Sequence, residues 1–436
     1  MPDFVIIKIG QIIQKGELVK IGIVGGGAAG LMAAWLLEQD YDVTLFESSD
    51  RLGGHIDTIY VPVGDQLVPV EAGFEFFSEA SFPVLCRLLS VLNVEYTTYP
   101  LTYTFTGSNK SLIHLPPCVG KRIIWRSLLP RPLCILLQFK YFLIRGSVIV
   151  KSKNAAISMQ EFADSIALSK RFKNDFLYPF YAGSWGTEIN DIKTFSAYDI
   201  LKWSDDNSPA GLFPGKWLEI VGGASVYIQA LSQQLSSQVN LSATITDVTH
   251  DGKEYAIAHK GGVVHVDHLV IATNAIDAKK LLANISHAHQ HRTALDRFNY
   301  FSTNIAVHGD ERWMPKSKRY WSVIAVLYDG DKSSLTTYKA WNSTIPVFRS
   351  WIMHNEKLLE NNLPQPLYAL RHYYHAKVTP DYFVGQRELQ ALQGNNGLWL
   401  AGMYMYDIDS HDSALMSAIT IARVLAPDSA RLTHFE

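Results

Sequence analysis

Residues 19–54 read VKIGIVGGGAAGLMAAWLLEQDYDVTLFESSDRLGG, and this stretch decides the fold. The apolar, β-branched run at 19–24 predicts a buried parallel strand, and the run after the glycines predicts a helix. A second strand is predicted over 42–47, where it ends in Glu47. A strand, a glycine turn, a helix and a second strand that ends in an acid together predict a Rossmann-type α/β fold.

Each part of this motif has a chemical reason. Gly25 permits the tight turn after the strand, and Gly27 lets a pyrophosphate approach the backbone and the positive end of the helix. Gly30 lets the helix pack closely on the strand, and Glu47 accepts hydrogen bonds from a ribose hydroxyl. The predicted contacts are Gly25, Gly27, Ala28, Ala29, Gly30 and Glu47. The alternative interpretation is a glycine-rich turn in an unrelated α/β protein.

A second glycine element, SSDRLGGHIDT at 48–58, follows directly. It resembles the second fingerprint of FAD-binding proteins in the flavin amine oxidase and phytoene desaturase superfamily. The resemblance implies that the glycine pair passes close to the flavin and pyrophosphate, and that the arginine helps to hold the phosphates. The family pattern ends in a second arginine, whereas this chain has a histidine whose charge depends on pH. The predicted contacts of this element are Ser48, Arg51, Gly53, Gly54 and His55.

Three later segments continue the resemblance. VEAGFEFF at 70–77 implies a stretch beside the flavin, and the β-meander before HLVIATNA at 268–275 implies an aliphatic residue packed on adenine. GLWLAGMYMYDIDSHDS at 397–413 implies a glycine and an acid that approach the ribityl chain at the start of a helix. The predicted contacts here are Gly73, Phe74, Ile245, Gly402, Met403, Asp412 and Ser413. No cysteine stands in a covalent-attachment motif, so the resemblance implies noncovalent FAD.

The features are most similar to a bacterial group described only as predicted NAD/FAD-binding proteins, which has no settled reaction. The shared segments include YPFYAGSWG at 178–186 and RHYYHA at 371–376. The closing loop departs from that group, because the run 410–413 reads SHDS where a Phe-His-Glu-Asp-Gly run is usual.

The resemblance also implies a domain organisation. We expect a Rossmann-type, GR2-like FAD-binding domain with an inserted α+β substrate domain. The FAD domain is predicted at 19–100, 215–285 and 395–425, the substrate domain at 101–214 and 286–394, and an extension or extra strand at 1–18.

Composition excludes several other classes of protein. The chain has 39 Lys and Arg against 41 Asp and Glu, a net charge of −2, so we expect no nucleic-acid binding. Its 3 cysteines form no CxxC, which argues against a disulfide scaffold and a zinc ribbon. No acid or cysteine completes a metal site near His372 and His375, so no metal is predicted. No targeting segment and no uncharged apolar run of about 18 residues stand out, which predicts a cytoplasmic protein.

One stretch has an unusual charge. Residues 96–160 contain no Asp or Glu and 9 Lys or Arg, interleaved with many apolar side chains. One interpretation is a surface near the substrate entrance that makes peripheral contact with an anionic membrane, or that binds an acyl or phosphate-bearing substrate. The other interpretation is a pair of packed helices whose basic side faces solvent.

Three functions stay open for an FAD protein of this kind. The first is an amine oxidase-like oxidoreductase that oxidises a C–N or C–C bond of a small molecule by hydride transfer to flavin N5. The second is a desaturase or isomerase of an acyl or isoprenoid chain, and the third is a non-catalytic flavoprotein. His411 is the candidate for proton transfer, with a helix-start histidine bonded to backbone as the alternative. The oligomeric state is not predicted.

Overall fold

A computed structural model describes residues 18–108, 111–119, 122–207, 216–339, 344–352 and 363–436. Residues 1–17 of the predicted extension therefore lie outside the described residues. Within the described ranges, the chain has a mixed α/β fold with one parallel sheet and one larger, mostly antiparallel sheet.

The strands, in chain order, are β1 (Lys20–Val24), β2 (Asp42–Phe46), β3 (Thr58–Val63), β4 (Gln66–Glu71), β5 (Tyr96–Pro100), β6 (Tyr103–Thr106), β7 (Leu112–Leu115), β8 (Cys118–Val119), β9 (Arg122–Ile123), β10 (Lys216–Ile220), β11 (Gln238–Asn240), β12 (Ile245–His250), β13 (Tyr255–His259), β14 (Gly262–Val266), β15 (His268–Ile271), β16 (Tyr300–His308), β17 (Ile324–Tyr328), β18 (Ser333–Tyr338), β19 (Phe348–Ile352), β20 (Leu367–Ala376) and β21 (Leu398–Leu400). The helices are α1 (Ala28–Leu37), α2 (Pro83–Val91), α3 (Pro130–Ser152), α4 (Met159–Ser165), α5 (Lys170–Phe172), α6 (Tyr178–Trp185), α7 (Ile189–Ile192), α8 (Ala197–Asn207), α9 (Ser225–Gln233), α10 (Ala275–Leu281), α11 (His289–Leu295), α12 (Pro380–Leu392) and α13 (His411–Leu425).

The parallel sheet contains the predicted glycine motif. Its strand order is β11-β2-β1-β15-β21, and all neighbours run parallel. Helix α1 is buried along its whole length because it packs on α13 and α9 on one side of this sheet. The meander β12-β13-β14 covers the other side, where Gly22 lies against Ile257 and Val266. With both faces covered, β1 is apolar throughout its buried part, as expected for a parallel strand.

The larger sheet has the order β20-β16-β19-β18-β17-β6-β7. Its neighbours are antiparallel except β17 and β6, which run parallel. It therefore joins strands from 101–214 and from 286–394, the two segments assigned to the substrate domain. The strands of the parallel sheet come from the three segments assigned to the FAD domain. The domain boundaries themselves stay a prediction.

One helix, α3, bears on the prediction that the chain has no membrane-spanning segment. Among the described residues, it is the one helix that is long and apolar enough to do so, by length and composition only. The expectation required an uncharged run, whereas this 23-residue helix stays strongly apolar although it contains four basic residues, Arg131, Lys140, Arg145 and Lys151. Its Phe142 and Gly146 are nevertheless buried in the protein, and Gly146 packs directly on Leu201 of α8.

Candidate cofactor and active site

A cavity of about 560 Å³ opens at the carboxyl ends of the parallel strands. This volume lies within the range of about 300–1,000 Å³ that is typical of ligand pockets. Residues directly after four of the strands line it, and this edge of the sheet is where ligands bind in open α/β folds. The residues that line the strand edge are Gly25, Glu47, Ser48, Ala272, Thr273, Asn274, Gly402 and Met403.

The first glycine turn leaves open space where a cofactor would pass. A Cβ placed on Gly27 would meet only the Cα of Gly54, at 3.9 Å, whereas a Cβ on Gly30 would lie 1.8 Å from the carbonyl oxygen of Gly25. Gly27 caps α1 without any side-chain hydrogen bond, and Ala28 and Ala29 line the cavity. The helix therefore directs unoccupied N–H groups and its positive end into the cavity, which suits an anionic group.

Glu47 is held in place by backbone groups at the end of β2. Its Oε2 accepts a hydrogen bond from the N–H of Gly26 at 2.7 Å, and its Oε1 accepts one from the N–H of Ser49 at 2.8 Å. The Ser48 hydroxyl also donates to Oε1 at 3.2 Å, so of the roughly four lone-pair sites of the carboxylate about one remains for a ribose hydroxyl. Residues 243–245, including the predicted Ile245, also line the cavity.

The second glycine element packs against the first. The N–H of Gly53 donates to the carbonyl of Gly26 at 2.9 Å, which brings Gly54 against Gly27. Both residues of the glycine pair line the cavity, but Arg51 does not. Its guanidinium instead donates to the carbonyls of Ile56 (2.7 Å) and Gly54 (3.1 Å), so it stabilises the loop that carries the glycines.

Four other predicted contacts support the cavity wall from behind. Gly73 has no room for a Cβ, which would lie 1.8 Å from the carbonyl oxygen of His55. Phe74 stacks on His411 with ring centroids 4.4 Å apart. Asp412 accepts hydrogen bonds from the start of α2, and Ser413 donates its N–H to the side chain of Ser410. Their predicted contact with the cofactor stays a prediction.

Three histidines, His55, His375 and His411, line the same cavity. Burial lowers the pKa of His375 and of His411 to about 3, and the proximity of His55 adds to both shifts. Burial, then the charge of Arg51, lowers the pKa of His55. All three imidazoles are therefore neutral at pH 7. His411 also shares a 2.7 Å hydrogen bond between Nε2 and the Tyr227 hydroxyl. A base with so low a pKa accepts a proton poorly at neutral pH, so His411 is better suited to hydrogen bonding.

Asp409 gives the cavity a carboxyl group that the sequence motifs did not single out. It lines the cavity together with Tyr382 and Tyr404. Its Oδ1 and the two tyrosine hydroxyls are buried and have no hydrogen-bond partner among the described residues. Burial raises the pKa of Asp409 to about 7. Since buried polar atoms are normally paired, these three atoms point to a polar ligand in this part of the cavity.

The residues present fit a flavin dinucleotide. The open space at Gly27 would admit the pyrophosphate, Glu47 would hold the ribose, and Ile245 would face the adenine. Gly402 and Met403 would lie along the flavin half. The described residues contain no group of three side chains that could hold a metal ion.

The chain matches the family model of flavin-containing amine oxidoreductases over residues 28–426. Its fold is similar to cyclohexylamine oxidase from Brevibacterium oxydans IH-35A (TM-score 0.70, 14% identity, 94% of this chain and 99% of that chain). It is also similar to a fatty acid isomerase from P. acnes that produces CLA (0.70, 13%, 93% and 98%). A third similar structure is a putative protoporphyrinogen oxidase from Exiguobacterium sp. 255-15 (0.67, 16%, 94% and 99%). No curated protein matches the sequence.

Proposed function

The chain belongs to the flavin-containing amine oxidoreductase family and is an FAD-dependent oxidoreductase, and within that class we propose that it oxidises the C–N bond of a small amine. One observation carries this choice of substrate. The cavity is lined by Asp409, whose Oδ1 has no hydrogen-bond partner among the described residues, and by Tyr382 and Tyr404, and the histidines that line it are uncharged. A carboxylate and aromatic rings are the groups that attract an ammonium ion.

The proposed roles follow from charge and position. FAD, when bound, would supply the oxidant: the ammonium form of the substrate loses one proton from nitrogen to give the neutral amine, which loses a hydride equivalent from carbon to give a protonated imine. Asp409 pairs with the ammonium form of the substrate and accepts the proton that must leave before oxidation. A carboxyl whose pKa lies near 7 is suited to that task at neutral pH. The histidines that line the cavity are neutral, and Lys280, which also lines it, is paired with Asp277 at 2.9 Å.

Asp409→Asn is the test of this proposal. We expect kcat/KM for primary amines to fall by roughly 100- to 10,000-fold, in keeping with loss of a proton-transfer group. In the unaltered protein, kcat/KM should rise as the pH increases through about 7, because the carboxyl ionises there. That rise should disappear in the variant. The measurement is anaerobic reduction of the bound flavin by a panel of primary amines between pH 5.5 and 9.

Asp277→Asn provides the matched control for this experiment. Asp277 lines the same cavity, but its carboxylate is already paired with Lys280 at 2.9 Å and bonded to Asn274. We expect this variant to keep both its activity and its pH profile. An Asp409→Asn variant as active as the unaltered protein, or a flavin that no amine reduces, would contradict the proposal.

A second candidate function is desaturation or isomerisation of an acyl chain. The observation in its favour is the exposed, apolar and basic surface of α3, which suits contact with lipid. The same anaerobic assay separates amine oxidation from desaturation if phospholipids are included, because only desaturation would let a lipid reduce the flavin. Isomerisation leaves no reduced flavin, so a shift of double-bond positions in the recovered lipid, without reduction of the flavin by any amine, would indicate that reaction.

We expect the FAD to be bound noncovalently. None of the three cysteines, Cys86, Cys118 and Cys134, lines the cavity, so no thiol is placed to form a bond with the flavin. Acid or heat should therefore release all of the yellow cofactor into the supernatant, where its absorbance and its mass identify FAD. Flavin that stays with the precipitated protein would show that another side chain attaches it.

A further inference from the structure

Helix α3 has apolar side chains on two opposite faces. The inner face is packed in the protein core, where Phe142 contacts Phe162 and Tyr181 with ring centroids 5.4 and 6.2 Å apart. Gly146 on the same face packs on Leu201 of α8. The inner face therefore fixes the helix to the protein and leaves the opposite face outward.

The outer face carries an apolar stripe that nothing in the described chain covers. Its residues recur every three or four positions, so they lie along one side of the helix. They are Leu133 (39% exposed), Leu137 (61%), Tyr141 (38%), Ile144 (59%) and Val148 (65%). Apolar side chains scattered singly on a surface are ordinary, but a continuous row of them marks a contact site.

The preceding turn extends this surface. Ile123, Trp125 and Leu129 are exposed by 49%, 72% and 54%. Together with the stripe, they place 8 of the 22 large exposed hydrophobic side chains of the described chain between residues 123 and 148. We call these eight residues the apolar ridge. The apolar exposure of this molecule is therefore concentrated in one short segment.

Positive charge surrounds the apolar ridge. At 100° per residue, Lys140 and Arg145 lie on opposite sides of the stripe, and both are exposed. Arg126 and Arg319 both stack near the ring of Tyr320, at 6.0 and 4.5 Å from its centroid. The whole of 96–160 has no acidic residue. The surface around the ridge thus combines exposed apolar side chains with unopposed cations.

We propose that the apolar ridge docks this protein on an anionic phospholipid membrane, with α3 lying in the plane of the interface. Apolar side chains would enter the boundary of the acyl region, and the flanking cations would meet the headgroups, as in interfacial helices. Helix α3 is long enough to span a bilayer, but its inner face is fixed against Phe162, Tyr181 and Leu201. A parallel orientation keeps that packing intact. Among the described residues of 96–160, none lines the cavity, so the expectation that this segment covers the substrate entrance has no support there. The docking does not depend on the proposed reaction.

The test is co-sedimentation of the FAD-loaded protein with vesicles of phosphatidylcholine alone and of phosphatidylcholine with phosphatidylglycerol. We expect binding to the anionic vesicles at low salt and much weaker binding at 0.5 M salt, because exposed charges are screened. Arg126→Gln/Lys140→Gln/Arg145→Gln should weaken binding by roughly 100-fold, at about fivefold for each cation. Leu137→Ser/Ile144→Ser/Val148→Ser should abolish detectable binding at low and at high salt.

Two matched variants separate the ridge from a general surface effect. Leu67→Ser/Val263→Ser/Val424→Ser removes side chains that are exposed by 64%, 57% and 63% but lie outside the ridge. Lys253→Gln/Lys260→Gln/Arg387→Gln removes three exposed cations elsewhere. Both should bind anionic vesicles as the unaltered protein does, and flavin absorbance should show that every variant is folded.

Three results would overturn the proposal. Equal binding to neutral and anionic vesicles, or none to either, would exclude anionic lipid as the partner. Association that only detergent reverses would show a spanning helix. The third result is a dimer in the absence of vesicle binding. If Leu137→Ser/Ile144→Ser/Val148→Ser dissociates that dimer, a second copy of the chain covers this face.

Discussion

Gly27→Val is expected to give a folded protein that binds no FAD. The valine Cβ would meet only Gly54, at 3.9 Å, so the change creates no severe clash within the protein. The backbone at this position is extended, with φ of −74°, which a valine can adopt. Its methyl groups would instead fill the space through which the pyrophosphate reaches the end of α1. The measurement is the flavin content of the purified protein and its reconstitution with excess FAD.

Gly30→Ala is the contrasting control in the same motif. Its Cβ would lie 1.8 Å from the carbonyl oxygen of Gly25, so this change should damage the fold itself. Glu47→Ala should have a smaller effect than either and weaken FAD binding by roughly 1–3 kcal/mol, the usual cost of losing a hydrogen-bond partner of a polar group. Circular dichroism of the apoproteins separates loss of fold from loss of cofactor. Unchanged flavin occupancy in Gly27→Val would show that the motif is only a turn.

The parallel sheet and its glycine turns were predictable because local sequence determines them. β1 is apolar because both faces of its sheet are covered, and Gly27 is a glycine because a side chain would fill the cavity. These constraints act within about 30 residues, so one sequence is enough to reveal them. The same locality explains why Gly27 and Glu47 do line the cavity, whereas Gly402, which also lines it, was predicted from the family resemblance of the closing segment.

The chemistry of the cavity was harder to predict from the sequence because it depends on which side chains are buried. Asp409 looks like any loop aspartate in the run DIDSHD, and only its environment raises its pKa to about 7. His411 was selected by residue type, yet burial lowers its pKa to about 3. Arg51 was expected at the phosphates, whereas the nearby carbonyls of Gly54 and Ile56 hold its guanidinium. Packing decides the pKa values of Asp409 and His411 and the hydrogen bonds of Arg51. The pattern of apolar residues along the sequence does not indicate such packing.

A buried ion cluster that links β10 and the segment around Glu75 to the larger sheet could not be predicted from the sequence either. Lys339, directly after β18, is fully buried. Its Nζ contacts the carboxylates of Glu219 on β10 and of Glu75, the latter at 3.1 Å. Arg349 on β19 lies 3.5 Å from the other oxygen of Glu75 and donates to the carbonyl of Gly73 at 3.0 Å. Burial alone would lower the pKa of Lys339, but the two carboxylates outweigh it and the pKa is raised.

Lys339→Met should therefore destabilise the protein by about 3–5 kcal/mol, because it leaves two carboxylates buried without their common partner. Lys318→Met is the matched control, since Lys318 forms an exposed pair with Glu311 at 2.6 Å and such pairs contribute about 0–1 kcal/mol. Urea unfolding of the FAD-loaded proteins measures both changes. Burial raises the pKa of Glu75, so this carboxylate takes up a proton as the pH falls. Protonation removes a buried negative charge that Lys339 no longer neutralises. The loss of unfolding free energy in Lys339→Met should therefore shrink as the pH falls from 8 to 5. A loss of stability that is no larger than that of Lys318→Met, or that grows at low pH, would show that charge in this cluster does not hold β10 and the larger sheet together.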